Sequence, residues 1–81
     1  MKATQELAQL YGQMRSDAGW TVDYGYIVQD GQNRLALITK RGKVIGSTLA
    51  VQRVAGGESE IDYLSRCAQA LASAFPGWHA L

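Results

Sequence analysis

The stretch from Trp20 to Val28 alternates between two kinds of side chain, and this period of two most constrains what the chain can fold into. Aromatic and aliphatic residues occupy its even positions, and an Asp30-Gly31 pair follows shortly after. Because successive side chains of a strand point to opposite faces, the pattern predicts a strand with an aromatic inner face. Asp-Gly is typical of a two-residue hairpin turn. We therefore predict a first strand at residues 20–28, paired with a second at 33–40.

The segment before this alternation has a different spacing. From residue 3 to residue 18 the apolar side chains recur every three or four positions, as on one face of an amphipathic helix. These apolar positions are Ala3, Leu7, Leu10, Tyr11, Met14 and Ala18. Gly19 follows as a natural C-terminal stop. The spacing predicts a first helix over residues 3–18.

A third strand and a second helix follow the hairpin. The Lys-Arg-Gly sequence at residues 40–42 is typical of a three-residue loop, and the strand after it is predicted at 43–54. Ser59 is followed three residues later by an aspartate, which indicates a helix N-cap, and an apolar stripe then extends to Phe75. A Pro-Gly pair ends this helix, so residues 76–81 are expected to form a short C-terminal tail.

These elements predict an α+β fold with the order helix, three-stranded antiparallel meander, helix. The 81 residues form one small domain, residues 1–81. A chain of this size buries only ~60% of its unfolded surface and needs its apolar residues for a single core. Both helices are expected on the aromatic face of the sheet.

The predicted element order is similar to that of the double-stranded RNA-binding domain. That resemblance implies the same fold. The family grips phosphates with a lysine-rich cluster at the start of its second helix. The corresponding positions here are Glu58, Ser59, Glu60 and Asp62, so the resemblance carries over none of the family's binding residues.

The sheet face opposite the aromatic one is smooth and partly apolar. Counting residues across the two predicted hairpin loops places Ile45, Leu49 and Val51 on the core face. The same count places seven residues on the opposite face, namely Gly25, Ile27, Ala36, Ile38, Val44, Gly46 and Thr48. A glycine inside a strand often marks close approach by another backbone, and an exposed apolar patch often marks an interface. We predict that this face and the edges of the sheet bind a protein partner or a second copy. Two alternatives stay open: the glycines relieve sheet twist, or the register differs by one residue.

Charge is unevenly distributed along a chain whose formal net charge is only +1. Residues 31–57 carry +5, and the remainder, with three basic and seven acidic residues, carries −4. The five basic residues are Arg34, Lys40, Arg41, Lys43 and Arg53. This cluster predicts, as an alternative function, binding of nucleic acid or another polyanion. Basic residues at strand ends also serve simply to keep sheet edges from aggregating.

Residues that could carry catalysis are scarce. His79 is the only histidine and lies in the predicted tail, while Cys67, the only cysteine, lies on the apolar stripe of the second helix. Glu58, Glu60 and Asp62 sit where negative charge complements a helix dipole, and no nearby acidic residue completes a calcium loop. We therefore expect no enzyme, no metal site, no cofactor and no small-molecule substrate.

The sequence also bears on the expected compartment. The first six residues have no apolar core of the kind a secretory signal requires, and the apolar runs are far short of a membrane span. A single cysteine excludes an internal disulfide framework. We expect a cytoplasmic protein that does not bind membranes.

Overall fold

In the part of the chain that the structure describes, five antiparallel strands form one curled, half-barrel sheet, and one helix lies between the fourth and fifth strands. The computed structural model describes residues 5–81, with side chains from residue 9 onward. Its elements are β1 Gln5–Ser16, β2 Thr21–Gln29, β3 Gln32–Ile38, β4 Val44–Leu49, α1 Glu60–Ala74 and β5 Trp78–Ala80. The strand order is β4-β3-β2-β1-β5, so β4 and β5 are the outer strands. The predicted order of helix, meander and helix is wrong.

The predicted first helix over residues 3–18 is wrong because residues 5–16 form β1, while residues 3 and 4 lie outside the described part of the chain. Bulges interrupt the pairing of β1 with β2 at Ala8 and at Tyr11. An extra residue in a strand changes the face to which later side chains point. Tyr11 and Met14, three positions apart, therefore both pack on the core. A bulged strand thus reproduces the spacing of a helix. Because the chain begins its sheet with β1 instead of a helix, the predicted similarity to the element order of double-stranded RNA-binding domains is wrong.

The β2–β3 hairpin forms where the sequence predicts it. Gln29 pairs with Gln32 across the Asp30-Gly31 turn, in which both central residues have positive φ, 51° and 81°. This is the backbone of a type I′ turn, the two-residue connection that matches the twist of paired strands. The prediction that Gly25 and Ala36 share a face is confirmed, because these two residues are paired across the hairpin.

The single helix, α1, covers the aromatic face of the sheet. The Ser59 hydroxyl accepts a hydrogen bond from the Asp62 amide at 3.1 Å, so the predicted N-cap is confirmed. Buried helix residues such as Cys67 and Leu71 pack against the sheet. Their buried partners on the strands are Met14, Val22, Tyr24, Leu35 and Leu37.

The contacts of α1 explain the curvature of the sheet. The helix approaches β3 and β4 and also β5, although β2 and β1 lie between them in the strand order. The middle strands reach the helix through large side chains. The Tyr11 ring lies 6.1 Å from the ring of Tyr63 and 6.3 Å from that of Tyr24, edge to face in both cases. The sheet therefore curls around α1, and aromatic side chains fill the space inside the curl.

β4 differs from the predicted third strand in length and in register. It ends at Leu49 instead of continuing through residues 50–54. A bulge at Ile45 interrupts its pairing with β3, between the paired residues Val44 and Gly46. All residues of β4 after the bulge consequently point to the face opposite to the predicted one.

The predicted tail at residues 76–81 contains β5, which pairs antiparallel with the end of β1. Backbone hydrogen bonds to the β1 region flank β5 at both of its ends. The Asp17 amide donates to the Gly77 carbonyl at 2.8 Å, and the Leu81 amide donates to the Gln13 carbonyl at 3.2 Å. The C-terminal segment is therefore part of the sheet.

Candidate interaction surface

The sheet face that points away from α1, termed the outer face, has a buried centre. Ile27, Ala36 and Ile38 are at most 3% exposed and form a small second core, against which Val44 packs. Gly25 is also buried. Four of the seven residues predicted to contact a partner on this face are therefore inaccessible in the folded chain.

Gly25 is required by the chain's own first strand. A Cβ atom at this position would clash with the carbonyl oxygen of Gln9 and would lie 2.9 Å from the Cα atom of Leu10. The sequence predicts that another backbone approaches Gly25 closely, and the structure shows that this backbone is β1. Gly25 is therefore explained by the close packing of β1 against β2 within the fold.

Gly46 and Thr48 lie on the side that faces the helix. A Cβ atom at Gly46 would be 2.8 Å from ring atoms of Phe75. Thr48 pairs with Leu35, whose side chain is in the core. The predicted placement of Gly46 and Thr48 on the outer face is wrong because the bulge at Ile45 shifts the register. The alternative of a one-residue shift is the correct one for β4.

The edge of β4 instead exposes two large apolar side chains. Ile45 is 45% exposed and Leu49 is 69% exposed, so the prediction that both lie in the core is wrong. Because Gly46 faces the helix, Ser47 and Leu49 point to the opposite, outer face, while Ile45 is the exposed extra residue of the bulge. Arg34 fixes Ser47 by donating from Nε to its hydroxyl at 2.8 Å and from Nη2 to its carbonyl at 3.2 Å. Ile45, Ser47 and Leu49 are termed the edge row.

One edge of the sheet is β4, and the other is formed by the three-residue strand β5 together with the part of β1 that β5 does not cover. β5 covers β1 only at residues 14–16, so the earlier residues of β1 also lack an outer strand in the described chain. That part of β1 contains both of its bulges, which disrupt a hydrogen-bonding ladder. Residues 46–49 of β4 pair regularly with β3 and contain no charged side chain. β4 is therefore the better template for an added strand.

Three of the five residues predicted to bind a polyanion have partners within the fold. Arg34 donates two hydrogen bonds to Ser47. Lys40 Nζ lies 3.0 Å from a carboxylate oxygen of Asp23, and Arg53 Nη2 lies 3.0 Å from one of Glu60. The remaining two basic residues of the stretch lie in the β3–β4 loop.

Arg41 and Lys43 flank Gly42 at the tip of the β3–β4 loop, and both are exposed. Neither side chain makes an ion pair with a described residue. The loop has a defined backbone, because the Thr39 amide donates to the Lys43 carbonyl at 2.8 Å. The loop therefore holds two free positive charges immediately before the edge row.

Hydroxyl and thiol groups lie close together in the core beneath α1. The Tyr63 hydroxyl donates to the Val51 carbonyl at 2.9 Å. Burial raises the pKa of the Tyr63 phenol strongly, and burial likewise raises the pKa of the Cys67 thiol. A thiol in these surroundings stays protonated at neutral pH and is a poor nucleophile.

His79 and Asp17 form an exposed pair that connects β5 to the β1–β2 turn. His79 Nε2 lies 2.6 Å from Asp17 Oδ1. Among residues 5–81 no group of three His, Cys, Asp or Glu side chains is placed to hold a metal ion. The depression beside His79 has a volume of about 270 Å³ and is lined largely by small side chains. This is below the ~300–1,000 Å³ typical of small-molecule pockets.

Similarity to known proteins gives no guide to the function. Comparison with protein families, with curated proteins and with solved structures finds no match. Within the described chain, no helix is long and apolar enough to span a membrane. What the fold defines is a curled five-stranded sheet around one helix, with an apolar, uncharged free edge at β4.

Proposed function

We propose that the protein is a non-enzymatic interaction module that binds an extended segment of a protein partner, or of a second copy, along the edge of β4. The observation that supports this proposal is the edge row, in which Ile45 and Leu49 are exposed on a strand that has no outer neighbour among residues 5–81. Strand addition gives affinity through backbone hydrogen bonds and specificity through alternate side chains. Edge strands commonly carry charges that prevent such pairing, and β4 carries none.

The size of this edge determines the affinity that we expect. β4 has six residues, so an added strand would bury less than the ~1,200–2,000 Å² of a stable specific interface. Burying an exposed Ile or Leu side chain contributes roughly 1.5 kcal/mol or more. We therefore expect reversible binding with a dissociation constant on the order of micromolar.

Selection of peptides from a random phage-displayed library on the folded protein tests this proposal. We expect enriched peptides to bind at least ~10-fold more weakly, about 1.4 kcal/mol, to the double variant Ile45→Lys/Leu49→Lys. The matched control is Trp20→Lys, which changes a side chain that is 72% exposed in the β1–β2 turn, and this variant should bind as the wild type does. Circular dichroism verifies that both variants are folded. Peptides that bind the double variant and the wild type equally would refute the proposal.

The alternative proposal, binding of nucleic acid or another polyanion, has narrower support. It rests on Arg41 and Lys43, because the other three basic residues of the stretch have partners in the fold. Two adjacent free cations can contact a phosphate backbone, although sites of this class generally combine more. This proposal predicts steep weakening of binding with salt.

We also propose a cytoplasmic location. Cys67 is a free thiol that is fully buried in the core. A lone, unpaired cysteine is compatible with a reducing compartment, in which disulfides are rare. Fractionation of the native host with an antibody against the protein checks this location, and recovery in a secreted or membrane fraction would contradict it.

A further inference from the structure

We infer that the segment added to the β4 edge is acidic, with one carboxylate opposite Ser47, a second beside the β3–β4 loop and an apolar side chain opposite Leu49. This inference rests on the proposed function and names the chemistry of its partner. Three positive side chains border the edge and make no ion pair with a described residue. They are Arg34, Arg41 and Lys43.

The guanidinium of Arg34 lies at the middle of the edge. It donates to the hydroxyl of Ser47 at 2.8 Å and to the carbonyl of the same residue at 3.2 Å. Both acceptors are neutral, and a guanidinium has further N–H donors for a carboxylate. Side chains directly opposite each other on paired strands have Cβ atoms ~4.5–5.5 Å apart. A carboxylate opposite Ser47 is therefore within reach of Arg34, and such charge-assisted hydrogen bonds are the stronger kind.

The β3–β4 loop supplies positive charge at one end of the edge. Arg41 and Lys43 are exposed there. The Lys43 amide donates to the Thr39 hydroxyl at 3.0 Å, so the backbone that carries these charges is defined. Lys43 precedes Ser47 by four residues, which corresponds to roughly 10–13 Å along a strand. A second carboxylate three or four residues from the first would therefore lie beside this loop.

The apolar part of the edge favours a peptide over a nucleic acid. The exposed side chain of Ile45 lies between the two positive places along the chain, and that of Leu49 lies beyond them. A nucleic acid carries a charge on every phosphate and would leave phosphates beside these apolar side chains without a cation. A second copy of β4 does not supply the carboxylates, because Val44–Leu49 contains no acidic residue. A strand of mixed acidic and apolar residues matches both parts of the surface.

The composition of peptides selected on the wild type from the random phage-displayed library gives the first test. We expect aspartate and glutamate to be enriched over the unselected library, with an apolar residue two positions from an acidic one. A parallel selection on the variant Arg34→Gln/Arg41→Gln/Lys43→Gln should lose the acidic enrichment. Wild-type selections without an acidic excess would overturn the inference.

Two variants of equal net charge separate local recognition from the overall charge of the protein. Arg41→Gln/Lys43→Gln and Arg15→Glu each lower the formal net charge from +1 to −1. Arg15 is exposed on β1, away from the β4 edge. Fluorescence anisotropy of a labelled selected peptide at low ionic strength should show about fivefold weaker binding to the first variant and less than about twofold to the second. Equal losses would contradict recognition by the loop.

A double-mutant cycle tests the contact with Arg34. Arg34→Gln in the protein, or an amide in place of the acidic residue in the peptide, should each weaken binding by about 10-fold. The two changes together should weaken it little further, because either one already removes the contact. Losses that multiply to about 100-fold would show that Arg34 does not contact the carboxylate, which would overturn the inference. Circular dichroism verifies that each protein variant is folded.

The neutral variant Ile45→Ser/Leu49→Ser separates this inference from the proposed function, because serine removes the apolar contacts without adding charge. If the selected peptides require Ile45 and Leu49 but not the three basic residues, the proposed function stands and the inference is wrong. If they require neither set, both are wrong. If Arg41→Gln/Lys43→Gln abolishes binding to RNA while no acidic peptide is enriched, the ligand is a polyanion and the inference is overturned.

Discussion

Alanine at Gly25 is expected to destabilise the fold, whereas alanine at Gly46 is expected to be nearly neutral. Both glycines lie in strands, and at both a Cβ atom would come closer than ordinary contact to its neighbours. The neighbours differ in their ability to move. At Gly25 they are backbone atoms of Gln9 and Leu10, which pairing with β2 holds in place. At Gly46 they are atoms of the Phe75 ring, which is only partly buried and can rotate away.

The two clashes therefore have different expected magnitudes. Overpacking costs typically about 1–3 kcal/mol, and a clash with fixed backbone belongs at the upper end. Replacing a glycine within a strand by alanine returns roughly 0.5–1 kcal/mol, because alanine loses less backbone freedom on folding. We expect Gly25→Ala to lower the free energy of unfolding by about 2 kcal/mol and Gly46→Ala to change it by less than about 0.5 kcal/mol.

Urea denaturation followed by circular dichroism measures both values. With an m-value of about 1 kcal/mol/M for a small domain, the midpoint should fall by about 2 M for Gly25→Ala and by less than about 0.5 M for Gly46→Ala. Equal midpoints for the two variants, or a larger loss at Gly46, would refute the reasoning. A Gly25→Ala variant of wild-type stability would show that β1 does not press on Gly25 in solution.

Two further predictions concern pH and charge. Burial raises the pKa of Tyr63 above the unfolded value of 10.0 and that of Cys67 above 9.0. The unfolded chain therefore loses these protons at lower pH than the folded chain does. The stability that the two protonated groups contribute is complete below about pH 9 and is lost as pH rises further. The urea midpoint should decrease as the pH is raised from about 9 to about 11, and it should decrease less steeply in the variant Tyr63→Phe. A midpoint that stays constant over this pH range would contradict the prediction. If the polyanion proposal holds, Arg41→Ala/Lys43→Ala should abolish salt-sensitive retention on heparin and RNA columns, whereas the exposed control Arg15→Ala should lose little. Unchanged retention of the double variant, or none for the wild type, would contradict that proposal.

The elements that the sequence predicts correctly are those specified by neighbouring residues. The alternation at 20–28 and the Asp-Gly turn define the β2–β3 hairpin locally, and the pairing of Gly25 with Ala36 follows from the turn length. Ser59 likewise defines the start of α1 through its own hydrogen bond. In each case the physical cause lies within a few residues in the chain, so the pattern and the structure agree.

β1 and β4 are mispredicted because a bulge has no clear signature in one sequence. The bulge at Tyr11 gives β1 the spacing of a helix, and only pairing with β2 decides that it is a strand. The bulge at Ile45 reverses the faces of the residues after it. The edge row is missed for the same reason, because the register without a bulge places Leu49 in the core. The absence of charge in β4 is the one sequence signal that points to this edge.

The pairing of β1 with β5 joins the first and last strands of the described chain. The contact between Asp17 and His79 spans 62 positions in the sequence. Contacts of such long separation form slowly, because the intervening chain must first be brought together. During translation, β1 emerges from the ribosome long before residues 78–80 and has no outer neighbour along residues 14–16 until they follow. A chain that stalls before Trp78 therefore leaves this stretch of β1 open, which makes stalled products more prone to aggregate than the finished protein.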